Sequence, residues 1–359
     1  MSKLNKNIPE GTRDLLYSEA DLYEKVTSDF TKIYESAGFG RVVTPAIENY
    51  DLIAAINRSI QQENLYKLTD NTGHLLVIRP DNTTPIARVA ATKLKNAVLP
   101  QKLYYNQSIY RINSENSGKR NEILQSGIEL VGAGGLKSDL LCIMTALETL
   151  KCLNLNLKLE IGHVCYFNAL LSELNLSEDE AITVRSFVEA KNFVSLNMFD
   201  KNLQNEKIRK LPLLYGNEEV FAEAEKLAEG NADAIAALDY VRALYDLLVS
   251  AGYGDDIMID MGIVHKFDYY TGLVFRGYID NAGEPVLKGG RYDKLLDSFD
   301  FDTPATGFAI NVCAVVDSLI KAGNLPAMRH ADAIVHCDDA TVAAAINVRN
   351  SYLERGLLC

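Results

Sequence analysis

The sequence predicts an α+β protein: an antiparallel sheet flanked by helices, with a helical insertion and a short C-terminal α/β unit. Three observations carry that expectation. Between Asn64 and Ile78 apolar and polar residues alternate around Asp70-Asn71-Thr72-Gly73, a hairpin pattern, because Asn and Gly accept the positive φ of such turns. From about Leu170 to Ala251 the pattern turns helical, in segments rich in Ala, Glu and Leu. Strand-like pieces then return at Ile257-Met258-Ile259, from Gly272 to Tyr278 and at Pro285-Val286-Leu287, so the chain leaves the sheet and re-enters it.

Taken in order, Ser18 is positioned to cap a helix in which Leu22, Val26, Phe30 and Ile33 recur near helical spacing and Gly38 marks the end. Arg41-Val42-Val43 reads as a strand running into Thr44-Pro45. The 64–78 hairpin delivers Arg79-Pro80-Asp81 to a strand end, and Thr83-Thr84-Pro85 opens a helix. Leu103-Tyr104-Tyr105 and Ser108-Ile109-Tyr110 read as strands, and the loop from Asn113 to Asn121 returns into Glu122-Ile123-Leu124-Gln125. Gly132-Ala133-Gly134-Gly135 lacks the lysine of a phosphate loop and reads as a turn. Helical segments fall at 178–195, 217–229 and 232–250, and another from Asn311 to Lys321. Ala333-Ile334-Val335-His336 with the helical 339–355 reads as one β-α unit. The division expected is a core in two parts, 1–169 and 252–322, a helical insertion at 170–251 and a C-terminal unit at 323–359.

With 359 residues, 48% of them hydrophobic, the chain can bury at least one large core. Its 36 Lys plus Arg against 48 Asp plus Glu give a formal charge of -12, which repels a phosphate backbone, so no nucleic-acid partner is expected. The six cysteines and five histidines show no metal-ligand spacing, so neither a metal nor a cofactor is expected and the thiols read as reduced. A polar N-terminus and the absence of a run near the roughly 20 apolar residues that span a bilayer place the protein in the cytoplasm, away from membranes.

An amino acid held in a pocket needs a cation or amides for its carboxylate and an anion for its ammonium. Four motifs offer such a set: Ile78-Arg79-Pro80-Asp81-Asn82-Thr83; Tyr110-Arg111 followed by Gln125-Ser126-Gly127-Ile128-Glu129; Asp268-Tyr269-Tyr270-Thr271-Gly272; and Lys288-Gly289-Gly290-Arg291-Tyr292-Asp293. In order and approximate spacing they resemble histidyl-tRNA synthetase, a class II aminoacyl-tRNA synthetase, up to about Leu319. The resemblance implies a class II synthetase-like sheet, a homodimer interface built from the first helix and strand, and a histidine pocket. In that pocket Asp81 and Thr83 would receive the ammonium, Arg111 the carboxylate, Gln125 and Glu129 the ammonium and substrate, and Tyr269 and Tyr270 the imidazole. Gly289 and Gly290 would let backbone approach the ligand.

Plainer readings stand beside these. Asp81 can cap the helix that starts at Thr83, Gln125 and Glu129 can form a solvated strand face, and Tyr269 and Tyr270 can be ordinary strand aromatics. His163 reads as a structural histidine.

The same resemblance marks what is missing. Adenylation gathers negative charge at the α-phosphate, and the family pattern answers with three arginines. Here the first is Arg111, the second aligns with His265 and the third with Ala314. Each lost donor costs about 3 kcal/mol of transition-state stabilisation. Asn113 and Asn121 also replace an acid and a basic residue of the loop that holds ATP, leaving Lys119, Arg120 and Lys266 as cations that can compensate. Groups facing histidine are spared and groups facing ATP are not. The nearer resemblance is therefore to the synthetase-like regulatory subunits of ATP phosphoribosyltransferase. It implies a noncatalytic chain with L-histidine as ligand, dimerising within a hetero-octamer with the short catalytic ATP phosphoribosyltransferase subunit. The alternative is a histidyl-tRNA synthetase or a histidine-activating relative.

Overall fold

The computed structural model describes residues 6–56, 60–113, 118–174, 176–200, 206–263, 269–328 and 330–359. Helix α1 (Tyr17–Ser36) buries Leu22, Val26, Phe30 and Tyr34 along one stripe and ends near Gly38, whose φ of 84° only glycine adopts at ease. The expected Ser18 cap is not formed. Leu16 occupies the N-cap, Tyr17 turns into the helix at a φ of 49°, and Ser18 is buried in the first turn. Strand β1 (Gly40–Arg41) is shorter than the expected 41–43. The Thr44 N–H turns away to donate to Gln107 Oε1 at 2.8 Å, and Val43 is left 69% exposed.

A small sheet follows, β2 (Ile47–Asn49), β3 (Lys67–Thr69) and β4 (Leu75–Ile78), ordered β2-β4-β3, with α2 (Tyr50–Ile56) between the first two. The hairpin read from the sequence is present. Asp70 N–H donates to the His74 carbonyl at 3.1 Å, and Gly73 supplies a φ of 88°.

After α3 (Thr83–Thr92) the chain enters the long strands β5 (Gln101–Tyr110) and β6 (Glu122–Val131), which pair along their whole length. The two short strands expected at 103–105 and 108–110 are thus one. The glycine-rich turn, with Gly132 and Gly135 at positive φ, leads into α4 (Leu136–Lys151), then β7 (Leu157–His163) and α5 (Val164–Ser172). The helical stretch contains α6 (Glu178–Glu189), α7 (Phe193–Asp200), α8 (Glu206–Lys210), α9 (Val220–Ala228) and α10 (Ala232–Ser250). A two-residue strand inside it, β8 (Tyr215–Gly216), pairs with β9 (Ile257–Asp260) at the sheet edge.

Strands β10 (Leu273–Ile279), β11 (Leu287–Arg291) and β12 (Ala305–Asn311) then fill the centre, followed by α11 (Val312–Lys321) and α12 (Val342–Glu354). The strand expected at 285–287 lies further along, over the Gly289-Gly290 pair. Residues 333–336 join no ladder, because the Asp332 and Ala333 N–H groups go instead to the Leu358 carbonyl at 2.8 and 3.2 Å.

The main sheet runs β1-β5-β6-β12-β11-β10-β7-β9-β8, antiparallel except for the parallel pairs β1/β5 and β7/β9. Helices α1, α4 and α11 pack on one face with the largest apolar cluster, which includes Phe30, Ile143, Phe308 and Val315. On the opposite face α3 packs against β6, and the short helix Asp293–Phe299 packs against α3 and β12. That face positions the site.

Candidate functional site

Register pairing lays out the floor. Gln107, Gln125 and Asn311 form one row, and Tyr105, Gly127, Ala309, Lys288, Arg276 and Glu160 form the next. The third row is Leu103, Glu129, Gly307, Gly290 and Val274. Partners in register project from the same face, so the rows describe one surface.

The turn after β4 supplies the first wall. Arg79 pins it, donating from Nε to the Ser108 carbonyl at 2.7 Å and from Nη1 to the Thr44 carbonyl at 2.8 Å. Asp81 Oδ1 accepts from the Thr84 N–H at 2.7 Å, so the capping reading of Asp81 holds, and the carboxylate is 6% exposed at the cleft edge. Asn82 joins the amide row: its Nδ2 donates to Gln125 Oε1 and its Oδ1 accepts from Gln107 Nε2, both at 3.1 Å. Neither Asn82 nor Gln107 was singled out in the sequence, although Asn82 lies between two residues that were.

Glu129 is the centre of the arrangement. It is 1% exposed, which disposes of a solvated strand face. Thr83 Oγ1 donates to its Oε1 at 2.8 Å and the Tyr292 hydroxyl donates to its Oε2. Burial pushes the carboxyl up to about 8, the two hydroxyls act in the opposite direction, and the Asp81 charge adds to the rise. Gly307 makes the carboxylate possible, since a Cβ there would stand 2.1 Å from Glu129 Oε2. Arg111 donates from Nε to the Pro80 carbonyl at 2.7 Å. Burial lowers its pKa, against which the charges of Asp81 and Tyr269 act.

Tyr269 and Tyr270 form the far wall before β10 begins, so they are not strand aromatics. Their ring centroids are 4.9 Å apart, and Tyr269 meets Tyr292 edge-on at 6.0 Å. Gly290 leaves room for the Tyr270 ring, which a Cβ would approach to 2.8 Å, and Gly289 leaves room for Phe275 at 2.4 Å. These glycines admit neighbouring side chains. The structure thus brings Asp81, Thr83, Arg111, Gln125, Glu129, Tyr269 and Tyr270 around one cleft. Tyr292 and Tyr105 join them unannounced. Tyr292 stood inside a quoted motif, whereas Tyr105 had read only as a strand residue.

The cations expected around a nucleotide are disposed otherwise. His265, Lys266 and Asp268 lie outside the described residues. Ala314 sits half-buried in the first turn of α11, its N–H donating to the capping Asn311 Oδ1 at 3.1 Å. Arg120 is bound to Asp317 at 2.7 and 3.0 Å and to the Tyr23 hydroxyl at 2.7 Å, and Lys119 pairs with Glu284 at 2.9 Å. Asn113 and Asn121 close the base of their loop on each other: the Asn113 N–H donates to Asn121 Oδ1 at 2.9 Å, while Asn121 Nδ2 donates to the Glu10 carbonyl at 3.0 Å. Lys288 and Arg276 do bring positive charge to the second floor row, with Glu160 next to Arg276.

Two further polar groups are structural. Arg291 forks onto the fully buried Asp139, Nε to Oδ2 at 3.1 Å and Nη2 to Oδ1 at 2.7 Å. His163 caps α5 by accepting from the Cys165 N–H at 3.3 Å, and burial lowers it to about 4.

Comparison with known proteins gives a consistent picture. A family model described as histidyl-tRNA synthetase matches residues 11–315. An ATP phosphoribosyltransferase regulatory subunit of Clostridium acetobutylicum is 43% identical, over 99% of this chain and 90% of the relative. One from Clostridium kluyveri is 38% identical over 100% and 93%. Among solved structures, an ATP phosphoribosyltransferase regulatory subunit/histidyl-tRNA synthetase from Bacillus halodurans superposes with a TM-score of 0.88 at 30% identity, covering 99% of this chain and 92% of the other. A histidyl-tRNA synthetase from Nostoc shares the fold, with a TM-score of 0.80 at 21% identity over 99% and 85%.

Proposed function

The chain belongs to the family of ATP phosphoribosyltransferase regulatory subunits, built on the histidyl-tRNA synthetase fold, and we propose that it serves there as a noncatalytic, histidine-sensing partner. In this reading it enables the short catalytic chain of ATP phosphoribosyltransferase, which opens L-histidine biosynthesis in the cytoplasm, and it transmits feedback inhibition by L-histidine within a hetero-octamer. One contrast carries it. The cleft holds an acid, amides, an arginine and two tyrosines in position for a small zwitterion, whereas both described cations of the 113–121 loop are committed to Asp317 and Glu284.

Histidine can shift the assembly only through different affinities for its active and inhibited states. The direct test is to mix the chain with the short catalytic subunit, check co-elution, and assay transferase activity across a histidine titration. Failure to associate, or activity indifferent to this chain, refutes the proposal.

Lys288 and Arg276 favour the second reading, a histidine-activating enzyme, because they put cations on the floor of the cleft at positions other than the two lost ones. Histidine-dependent ATP–pyrophosphate exchange separates the two. Sustained exchange selects the enzyme, and none is expected.

A further inference from the structure

Helix α6 gives out at Ala190, and the residue that closes it is Lys191, at a φ of 48°. The Lys191 N–H donates to the Val188 carbonyl at 3.0 Å and the Asn192 N–H to the Phe187 carbonyl at 2.9 Å, the pair of bonds that finishes a helix through a left-handed residue. Glycine takes that place at ease and lysine does not, so the reason for a lysine lies in its side chain. Its ammonium stands 3.5 Å from Asp260 Oδ2 and 4.3 Å from the centre of the Tyr215 ring.

Register fixes what lies beneath. Glu160 ends the second row of the cleft floor and pairs with Met258 on β9, so Asp260, two residues on, projects from the same face, as does its own partner Tyr215 on β8. Glu160 and Asp260 are both buried. Burial raises both carboxyls, and the Asp260 charge adds to the rise at Glu160. Among the described residues two cations answer the pair. Arg276 lies between Glu160 and Lys288 in the row, whereas Lys191 belongs to the helical insertion and its side chain is 44% exposed. Part of the charge that balances a buried acid pair on the sheet thus sits on a side chain that can swing into water.

We infer that Lys191 is a latch, fastening the helical insertion to the Asp260–Glu160 pair at the end of the cleft floor. The insertion then has a fastened and an unfastened position, and a ligand in the cleft favours the first. This regulatory half rests on the histidine-sensing reading proposed above. Arg276 supplies the coupling. Lys288 is close enough to Arg111 for their charges to act on each other, so a ligand carboxylate held at Arg111 also draws on Lys288 and on Arg276 beside it. The charge that Arg276 shared with the acid pair is then partly taken up, and the pair leans on Lys191.

Lys191→Met removes the charge and keeps the stem, whereas Lys191→Arg keeps the charge. In the ligand-free full chain, amide exchange should quicken about tenfold in Lys191→Met through α6 and α7 and at Gly262, whose N–H donates to Asp260 Oδ1 at 3.0 Å. Lys191→Arg should stay near the parent rate. Unchanged exchange in Lys191→Met overturns the latch, and so does equal quickening in both variants, since the turn rather than the charge would then be at stake. The regulatory half is read in the complex with the short catalytic chain. There Lys191→Met should raise the histidine concentration for half-inhibition about tenfold while leaving uninhibited activity alone, and Lys191→Arg should restore it. A loosened latch with that concentration unchanged overturns the coupling. If the parent complex shows no response to histidine, the histidine-sensing reading and the coupling fall together, and the exchange rates still decide the latch.

Discussion

The Thr83 hydroxyl donates to Glu129 Oε1 at 2.8 Å, tying the first turn of α3 to the middle of β6. With Tyr292 on the other oxygen, the carboxylate is held from both sides before any ligand arrives. A pre-held acid is a rigid one, and ordering it on binding costs little. Burial gives it a second property, a measurable pH signature.

Because the folded chain keeps the Glu129 proton up to about pH 8, whereas an unfolded chain releases it near the ordinary carboxyl value, folding takes up a proton in between. The stability this contributes is fully present below the unfolded value and is lost as pH rises through about 8. In ligand-free protein, unfolding free energy should fall by about 1.4 kcal/mol per pH unit between about pH 5 and neutrality, with the slope fading through about pH 8 and then levelling off. Denaturant titrations of the parent and Glu129→Gln check it, and the variant should lose this slope. An identical slope in both would assign the effect elsewhere.

Asp81 acts both as a helix cap and as an anion. Asp81→Ala removes both and should cost about 1 kcal/mol of stability through the lost Thr84 bond. Asp81→Asn keeps a capping oxygen but no charge. If the carboxylate receives the ligand ammonium, Asp81→Asn should melt close to the parent and bind L-histidine about tenfold more weakly by calorimetry.

Arg291 stands in a motif that looks chemical, yet its side chain is spent on Asp139 and Ser138. Replacing it strands a fully buried carboxylate. Arg291→Met should lower stability by about 3 to 5 kcal/mol, read by thermal unfolding, with histidine affinity unchanged in the fraction that remains folded.

The Arg120 clamp is partly exposed and correspondingly weaker. Arg120→Ala should cost about 1 kcal/mol. Hydrogen exchange should quicken in the described residues 118–121 and around Asp317 in α11, because Asp317 and Tyr23 lose their shared partner. Protection unchanged at both places would mean that the loop is held by the Asn113–Asn121 pair alone.

Much of this site could be read from residue types at fixed spacing. Asp81, Thr83, Gln125 and Glu129 converge because one turn and one strand face each other across α3, and both turn and strand were visible in the chain. The hairpin around Asp70 was legible for the same local reason. What escaped detection was non-local. Strand β12 contains Gly307 and Ala309, small residues chosen for what crosses above them, so it shows little of the alternation that announces a half-buried strand. Residues 333–336 show the opposite failure: the apolar run has the composition of a strand but finds no partner. Ser18 had the chemistry of a cap, and an offset of two residues from the N-cap at Leu16 placed it inside the helix.

Bare backbone at Gly127 and Gly307 has a lasting effect on how this cleft can change. Those two positions have no rotamers to shuffle, and any methyl added there strikes a carbonyl or the central acid. Reshaping for a different guest must therefore come from the side chains around them, one substitution at a time, over two points of the base that stay constant.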